Sequence, residues 1–357
     1  MSPLHTPTPA ALVWSDPARE AACNTWLNSL AATHGLQLAT LRLASADASF
    51  RRYLRIDSTS GSRIIMDAPP AKEDCGPFEH VARLLAQAGL NAPEVLAWDQ
   101  PNGFMLLSDL GSHTMMQVIQ PDRVQANFDL YMQAVDALIT WQLASQPGVL
   151  PVYDEALLRR ELALFPHWYL TQHRGVAVEG EMASTLDKSF NLIVAQNLSW
   201  PSVYVHRDFM PRNLMVSPDG GALGILDFQD AVYGPITYDI ASLMRDAFLS
   251  WEEDFVLDVT IRYWQKARKA GLPVGDDFGE FYRGVEWMGL QRHLKVAGIF
   301  ARLTLRDGKP QYLADTPRFI HYIRATCNRY RELKPLLRLI DRVEGFEAAT
   351  GFAYGRM

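Results

Sequence analysis

At 357 residues the chain is longer than most single hydrophobic cores and suits two lobes. Its 48% apolar and 21% charged content, with nine Trp, thirteen Tyr and sixteen Phe, is that of a globular protein and excludes long disorder. A net charge of −6 excludes the basic footprint of a nucleic-acid binder. One Arg-rich stretch (Arg324, Arg329, Arg331, Lys334, Arg338, Arg342) reads as a solvated helix face.

Residues 1–15 read as a frayed tail without signal-peptide character. From Arg19 to Ala32, apolar residues recur at helical spacing, and Leu36–Leu43 reads as a strand. The small, polar run Ala44–Ser49 separates it from a second strand, Phe50–Ile56. Ser58–Ser62 reads as a hairpin turn, followed by a third strand, Arg63–Ala68. A helix is expected over Pro77–Gln87, then short strands at Val95–Trp98 and Phe104–Ser108, with Pro101-Asn102-Gly103 as the turn between them. Beyond Gly111 long helical patterns dominate, at about 121–145, 153–173 and 180–198. A strand-rich interlude spans Val203–Phe228, and helices run from Tyr238 to the end. The expected fold class is therefore α+β, with a small strand-rich N-terminal lobe (1–106), a hinge (107–113) and a large, mainly helical C-terminal lobe (114–357).

The three cysteines, Cys23, Cys75 and Cys327, share no metal or redox spacing, and no apolar run approaches membrane-spanning length. A cytoplasmic, reduced, monomeric protein with no membrane partner is expected.

The chemistry concentrates in His206-Arg207-Asp208-Phe209-Met210-Pro211-Arg212-Asn213, which fits H-R-D-x-x-x-x-N, the catalytic-loop pattern of protein kinases. Gly224–Phe228 follows as a short apolar strand carrying Asp227. Phosphoryl transfer needs an acceptor hydroxyl in line with the γ-phosphorus and neutralisation of the phosphate oxygens. Asp208 suits the first task as the carboxylate that accepts the hydroxyl proton. Asn213 and Asp227 suit the second as one amide and one carboxylate for Mg²⁺, which takes its other ligands from phosphate and water. His206 reads as a packed residue supporting the loop.

These segments, with Gly234-Pro235-Ile236-Thr237-Tyr238-Asp239-Ile240-Ala241, resemble the aminoglycoside phosphotransferase and choline kinase family over residues 35–300. The resemblance implies a bilobal, protein-kinase-like fold with ATP and Mg²⁺ as cofactors, and Asp239 as a buried carboxylate holding the catalytic loop. Protein kinases lack the last segment and carry D-F-G where this chain has Asp227-Phe228-Gln229. Ala48–Tyr53, Met66–Pro70, Leu106–Gly111 and Asp227–Ala231 are further similar to a bacterial family of anomeric sugar kinases. That family phosphorylates C1 of N-acetylmuramic acid and N-acetylglucosamine in peptidoglycan recycling, which implies a small amino-sugar substrate.

The third strand has no Lys to contact the α- and β-phosphates. Strand alternation puts Phe50, Arg52, Leu54 and Ile56 on one face and Arg51, Tyr53 and Arg55 on the other. Arg52, a charge on an apolar face, is the expected replacement for the Lys, with an ion pair to Asp67 as the competing reading. The glycine-free loop Ser45-Ala46-Asp47-Ala48-Ser49, with Phe50, is expected to close over the phosphates through backbone N–H groups and the Ser49 hydroxyl. Leu107 to Gly111, Asp109 included, should bond the adenine edge. Gln229, Asp230 and Tyr233 are expected sugar contacts, and Arg292 the partner of an N-acetylmuramate carboxylate. Two alternatives stand beside the sugar kinase: the same fold on an aminoglycoside, choline or homoserine, and a nucleotide-binding module without turnover. Only Glu252, Glu253 and Asp254 offer the acidic run that a cationic acceptor favours.

Overall fold

The computed structural model describes residues 12–14, 16–46, 51–217 and 219–346. They divide into two compact units: one from the residues up to Ile119 together with Arg212–Asp230, the other from Gln120–Pro211 and from Ala231 onward.

The first unit opens with α1 (Pro17–His34), where the Asp16 carboxylate accepts the Ala18 and Arg19 N–H groups and left-handed Gly35 ends the helix. Then come β1 (Leu36–Ala46), β2 (Arg52–Ser58), β3 (Gly61–Asp67), α2 (Gly76–Gln87), β4 (Val95–Asp99) and β5 (Phe104–Ser108). All five expected strands form one antiparallel sheet, in the order β1-β2-β3-β5-β4. Gly103 closes the β4–β5 turn at φ 69, where a Cβ would stand 2.0 Å from the Ala68 carbonyl oxygen, so only glycine fits. One sheet face sends Leu54, Ile56, Ile65, Phe104 and Leu106 against Cys23 and Leu27 of α1. A short α3 (Met115–Val118) follows.

The second unit begins with α4 (Val124–Leu143) and α5 (Glu155–Leu162). The single helix expected over 153–173 is interrupted: after Leu162 the chain widens into a π-helical segment, Phe165–His173, containing Pro166. Proline lacks the N–H that would continue the regular ladder. Next come α6 (Gly180–Leu198) and β6 (Ser202–Val205). The first unit then receives β7 (Leu214–Met215) and β8 (Gly224–Ile225), a two-stranded ladder. β9 (Val232–Pro235), beyond the expected strand-rich interlude, returns to the second unit and pairs antiparallel with β6.

The remaining helices are α7 (Thr237–Met244), α8 (Glu253–Lys269), α9 (Phe278–Leu305), α10 (Thr316–Arg329) and α11 (Lys334–Glu344). Helix α9 is the axis of this unit, and every residue from Gly284 to Lys295 is buried. Its Gly298 admits the π-helical segment closely, since a Cβ there would stand 2.5 Å from the Leu164 carbonyl carbon. The Arg-rich C-terminal stretch is partly paired: Arg324 binds Asp341, and Arg329 binds Glu253 and Glu286. All three cysteines are free and buried. Among the described residues no helix is long and apolar enough to cross a membrane.

Candidate active site

The period of strand β2 decides which side chains meet a ligand. Leu54 and Ile56 are fully buried toward α1, so Tyr53 and Arg55 point the other way and line a cavity of about 440 Å³ in the first unit. That volume suits a small cofactor. Aliphatic walls come from Ile64 of β3, Leu107 of β5, Met215 of β7 and Leu226, a slot suited to a flat base. Asp109 lies at one side, and Arg212, Asn213 and Asp227 supply polar groups elsewhere in the wall.

The Arg55 guanidinium grips Asp109 with two hydrogen bonds, of 2.6 and 3.0 Å, and donates to the Gly111 carbonyl at 2.7 Å. Ser62 Oγ and the Gly111 N–H also donate to Asp109. Burial pushes the Asp109 carboxyl upward, but the hydrogen bonds from Arg55, Ser62 and Gly111 outweigh it and hold the group below the ordinary carboxylate range.

Arg52 is not among the cavity residues. It shares the face of Leu54, where its guanidinium donates to Asp67 at 2.7 Å and to the Val13 carbonyl at 3.1 Å, and lies 3.7 Å from the Trp14 ring centre. Asp67 also receives Arg19 Nε at 2.6 Å. The expected phosphate contact of Arg52 therefore does not fit its position, and the competing ion pair with Asp67 is what forms. Of the loop residues, Asp47, Ser49 and Phe50 lie outside the described residues. Ser45 and Ala46 end β1, where their backbones pair with Tyr53 and Arg52.

Asn213 and Asp227 meet because the β7–β8 ladder pairs Leu214 with Ile225 and the Leu226 N–H donates to the Asn213 carbonyl. The Asn213 amide nitrogen stands 3.3 Å from Asp227 Oδ2. Asp227 has φ 63, a left-handed backbone that turns the chain sharply beside the cavity. Phe78 of α2 packs on Phe228 with ring centres 4.8 Å apart, bracing the segment from behind. One amide and one carboxylate fit a hard divalent cation that takes phosphate oxygens as further ligands. Among the described residues no group of three or more His, Cys, Asp or Glu could hold a metal by itself. Gln229 donates to Asp227 Oδ1 at 3.0 Å, so it orients that carboxylate. Asp230 is exposed, and Tyr233 is a half-buried residue of β9 paired with Tyr204.

The candidate catalytic loop is built in the second unit. After β6 the backbone turns left-handed at Arg207, with φ 76, which is costly for a residue with a Cβ. Asp239, fully buried on α7, compensates by accepting the His206 N–H at 2.7 Å and the Arg207 N–H at 3.0 Å. His206 is buried, packs edge-on against Phe209, and accepts the Asp208 N–H through Nδ1 at 3.3 Å. It is therefore a support of the loop. The Asp208 side chain is 39% exposed, open enough to meet a hydroxyl. Burial pushes its carboxyl upward, but the charges of Lys295, Arg292, Arg207 and His206 overcome this and hold it below the ordinary range.

Arg292 does not reach outward. It is 5% exposed, and its Nη1 donates to the Arg207 carbonyl at 2.5 Å, so the expected contact with an acceptor carboxylate does not fit this placement.

The sequence reading missed three participants. Arg55 shares the Tyr53 face of β2, and strand alternation alone does not set it above Arg52 as the cavity's cation. Glu161 of α5 accepts Arg207 Nη2 at 2.6 Å, Lys295 Nζ at 3.0 Å and the Tyr153 hydroxyl at 2.5 Å, and nothing in its local pattern marks it. Lys295, like Arg292 three residues earlier, is a cation within the buried run of α9.

The sequence profile described as the phosphotransferase enzyme family matches residues 40–278. The chain is 49% identical over 342 residues to an N-acetylmuramate/N-acetylglucosamine kinase of Pseudomonas aeruginosa, covering 94% of this chain and 100% of the relative. A protein of the same name from Neisseria meningitidis is 47% identical over 317 residues, covering 88% and 94% of the two chains. Among solved structures, a choline/ethanolamine kinase family protein from Mesorhizobium loti superposes with a TM-score of 0.61 at 14% identity, covering 91% of this chain and 99% of the other. The ADP-bound aminoglycoside phosphotransferase APH(2'')-Ib gives a TM-score of 0.56 at 13% identity, with 86% and 97% covered. These two likenesses show the fold. With the profile spanning most of the chain and relatives matched almost end to end, the chain belongs to the phosphotransferase enzyme family, as a kinase.

Proposed function

We propose that this kinase transfers the γ-phosphoryl of ATP to the anomeric C1 hydroxyl of N-acetylmuramic acid and N-acetylglucosamine, in peptidoglycan recycling. The observation that carries the acceptor is the 49% identity, spanning the whole of a relative named for those two sugars. The aliphatic slot between Ile64, Leu107, Met215 and Leu226 supports a bound adenine, with residues 107–113 as the hinge. Asn213, through its amide oxygen, and Asp227 would hold Mg²⁺, which supplies charge neutralisation at the phosphate oxygens. Gln229 fixes the Asp227 carboxylate for that task.

Asp208 accepts the hydrogen bond of the sugar hydroxyl and takes its proton as the hydroxyl oxygen bonds to the γ-phosphorus. The bond from phosphorus to the bridging oxygen of ADP breaks on the opposite side. The cations around Asp208 keep its carboxylate ionised and ready for that proton. Asp230 and Tyr233 remain the sugar contacts of this reading. The enzyme acts as a monomer in the cytoplasm.

The test is direct. Purified protein, ATP, Mg²⁺ and either sugar are followed by ³¹P and ¹³C NMR, with Asp208→Asn as control. A new anomeric phosphate, absent with the variant, is expected. Tight binding of Mg·ATP with no sugar phosphate would overturn the acceptor and direct a screen of aminoglycoside, choline and homoserine.

A further inference from the structure

Three cations converge on the catalytic loop, and they do different work. Arg207 turns its guanidinium to Glu161 at 2.6 Å. Lys295 shares Glu161 at 3.0 Å and approaches the Tyr238 hydroxyl at 3.4 Å. Arg292, three residues before Lys295 on the same face of α9, goes elsewhere. Its Nη1 donates to the Arg207 carbonyl at 2.5 Å, its Nη2 stands 4.0 Å from Asp208 Oδ1, and its guanidinium carbon lies 4.9 Å from the Tyr238 ring centre.

The Arg207 carbonyl and the Asp208 N–H belong to one peptide plane, the last before the reactive carboxylate. Arg292 holds that plane at its oxygen, and His206 Nδ1 holds it at its N–H. The preceding N–H groups are held by Asp239. A left-handed backbone at Arg207 relaxes unless its surroundings fix it. Burying an arginine is costly, and a fixed carbonyl, a nearby carboxylate and an aromatic face are what repay it.

We propose that Arg292 is a positioning residue: it pins the 207–208 peptide and aims the Asp208 carboxylate at the acceptor hydroxyl, without touching substrate. The inference rests on the phosphotransfer reading above. Its charge also helps keep Asp208 ionised, together with Lys295, Arg207 and His206; Asp239 on α7 acts against them. Because Asp208 works ionised, activity falls as pH drops through its pKa. Removing a neighbouring cation raises that pKa and moves the acid limb to higher pH.

Arg292→Gln and Arg292→Lys are compared with wild type on both sugars, from about pH 3 to about pH 9, so that the acid limb set by Asp208, whose carboxyl sits below the ordinary range, falls inside the window. For Arg292→Gln, kcat should fall about 10- to 100-fold on both sugars, while KM for each sugar and for ATP stays within about threefold. The acid limb should move to higher pH. Arg292→Lys should restore the limb but recover kcat only in part, because an ammonium cannot reproduce the planar reach to the carbonyl. Should Arg292→Gln fail to fold, Arg292→Lys decides: reduced kcat at unchanged KM supports the proposal, and wild-type kcat overturns it. A rise in KM confined to N-acetylmuramic acid, which alone carries a lactyl carboxylate, would make Arg292 a substrate contact and overturn it. So would a loss of kcat with the acid limb unmoved. A wild type that turns over neither sugar overturns only the amino-sugar acceptor, and the same comparison is then read from ATP hydrolysis, where water replaces the sugar hydroxyl.

Discussion

The cavity of the first unit and the catalytic loop of the second handle charge in opposite ways. In the cavity wall, Arg55 is matched to Asp109 by two hydrogen bonds, and the slot beside them is aliphatic. Around the loop, Arg207, Arg292 and Lys295 gather about Glu161 and Asp208, whose carboxylate is left 39% exposed. A slot for a flat base needs shape and an apolar wall. A reaction centre needs one carboxylate kept ionised and held still. Substitutions in the cavity should therefore change affinity, and those at the loop should change turnover or stability.

The largest effect tests the loop. Asp208→Asn should lower kcat by about 10²- to 10⁴-fold in a steady-state assay, with the dissociation constant for Mg·ATP within about twofold of wild type. A comparable loss of nucleotide affinity would break the division of labour.

Asp239 sharpens the same side. Replacing it with Ala strips the acceptor from the His206 and Arg207 N–H groups, and a denaturation curve should show a loss of about 2–4 kcal/mol. Burial lifts the Asp239 carboxyl from 3.8 to about 7, against the pull of those two N–H groups. Between those values the folded chain holds a proton that the unfolded chain has lost. This contribution to stability is complete below pH 3.8, declines as pH rises through the window and is gone above about 7. Melting curves of wild type and Asp239→Ala across that window should converge toward its upper end as this contribution disappears.

In the cavity, Arg55→Ala leaves Asp109 without its counter-charge, held only by Ser62 and Gly111, next to the proposed site for an anionic nucleotide. The KM for ATP should rise about tenfold with kcat nearly unchanged, a difference of about 1.4 kcal/mol. The smallest effect belongs to Arg52, on the opposite face of β2. Asp67 keeps Arg19 when Arg52 is removed, so Arg52→Ala should cost about 1 kcal/mol of stability and leave both kinetic constants for ATP unchanged. A raised KM there would reverse the assignment of the two arginines.

Much of this was legible in the chain itself. The five-strand lobe followed from period-two alternation and from turn residues, because a half-buried strand must alternate and Gly103 is forced by a close carbonyl. The spacing of Asp208, Asn213 and Asp227 was legible as well, because the proposed chemistry asks for those residue types in that order. The break of the 153–173 helix was not, although Pro166 stood inside it, since apolar periodicity runs on through a widened turn. Nor was β9, whose Val232–Pro235 becomes a strand only because β6 lies beside it.

The sequence by itself determined the α+β pattern, the faces of β2 and the order of the phosphotransfer motif, all properties of local spacing. Only the tertiary structure decided that Arg55 lines the cavity while Arg52 binds Asp67, and that Arg292 turns inward to the Arg207 carbonyl. The physical reason is that a side chain's partner is set by what distant segments bring within reach. Residue 292 meets 207, and residue 161 meets 207 and 295, through packing that no local pattern encodes.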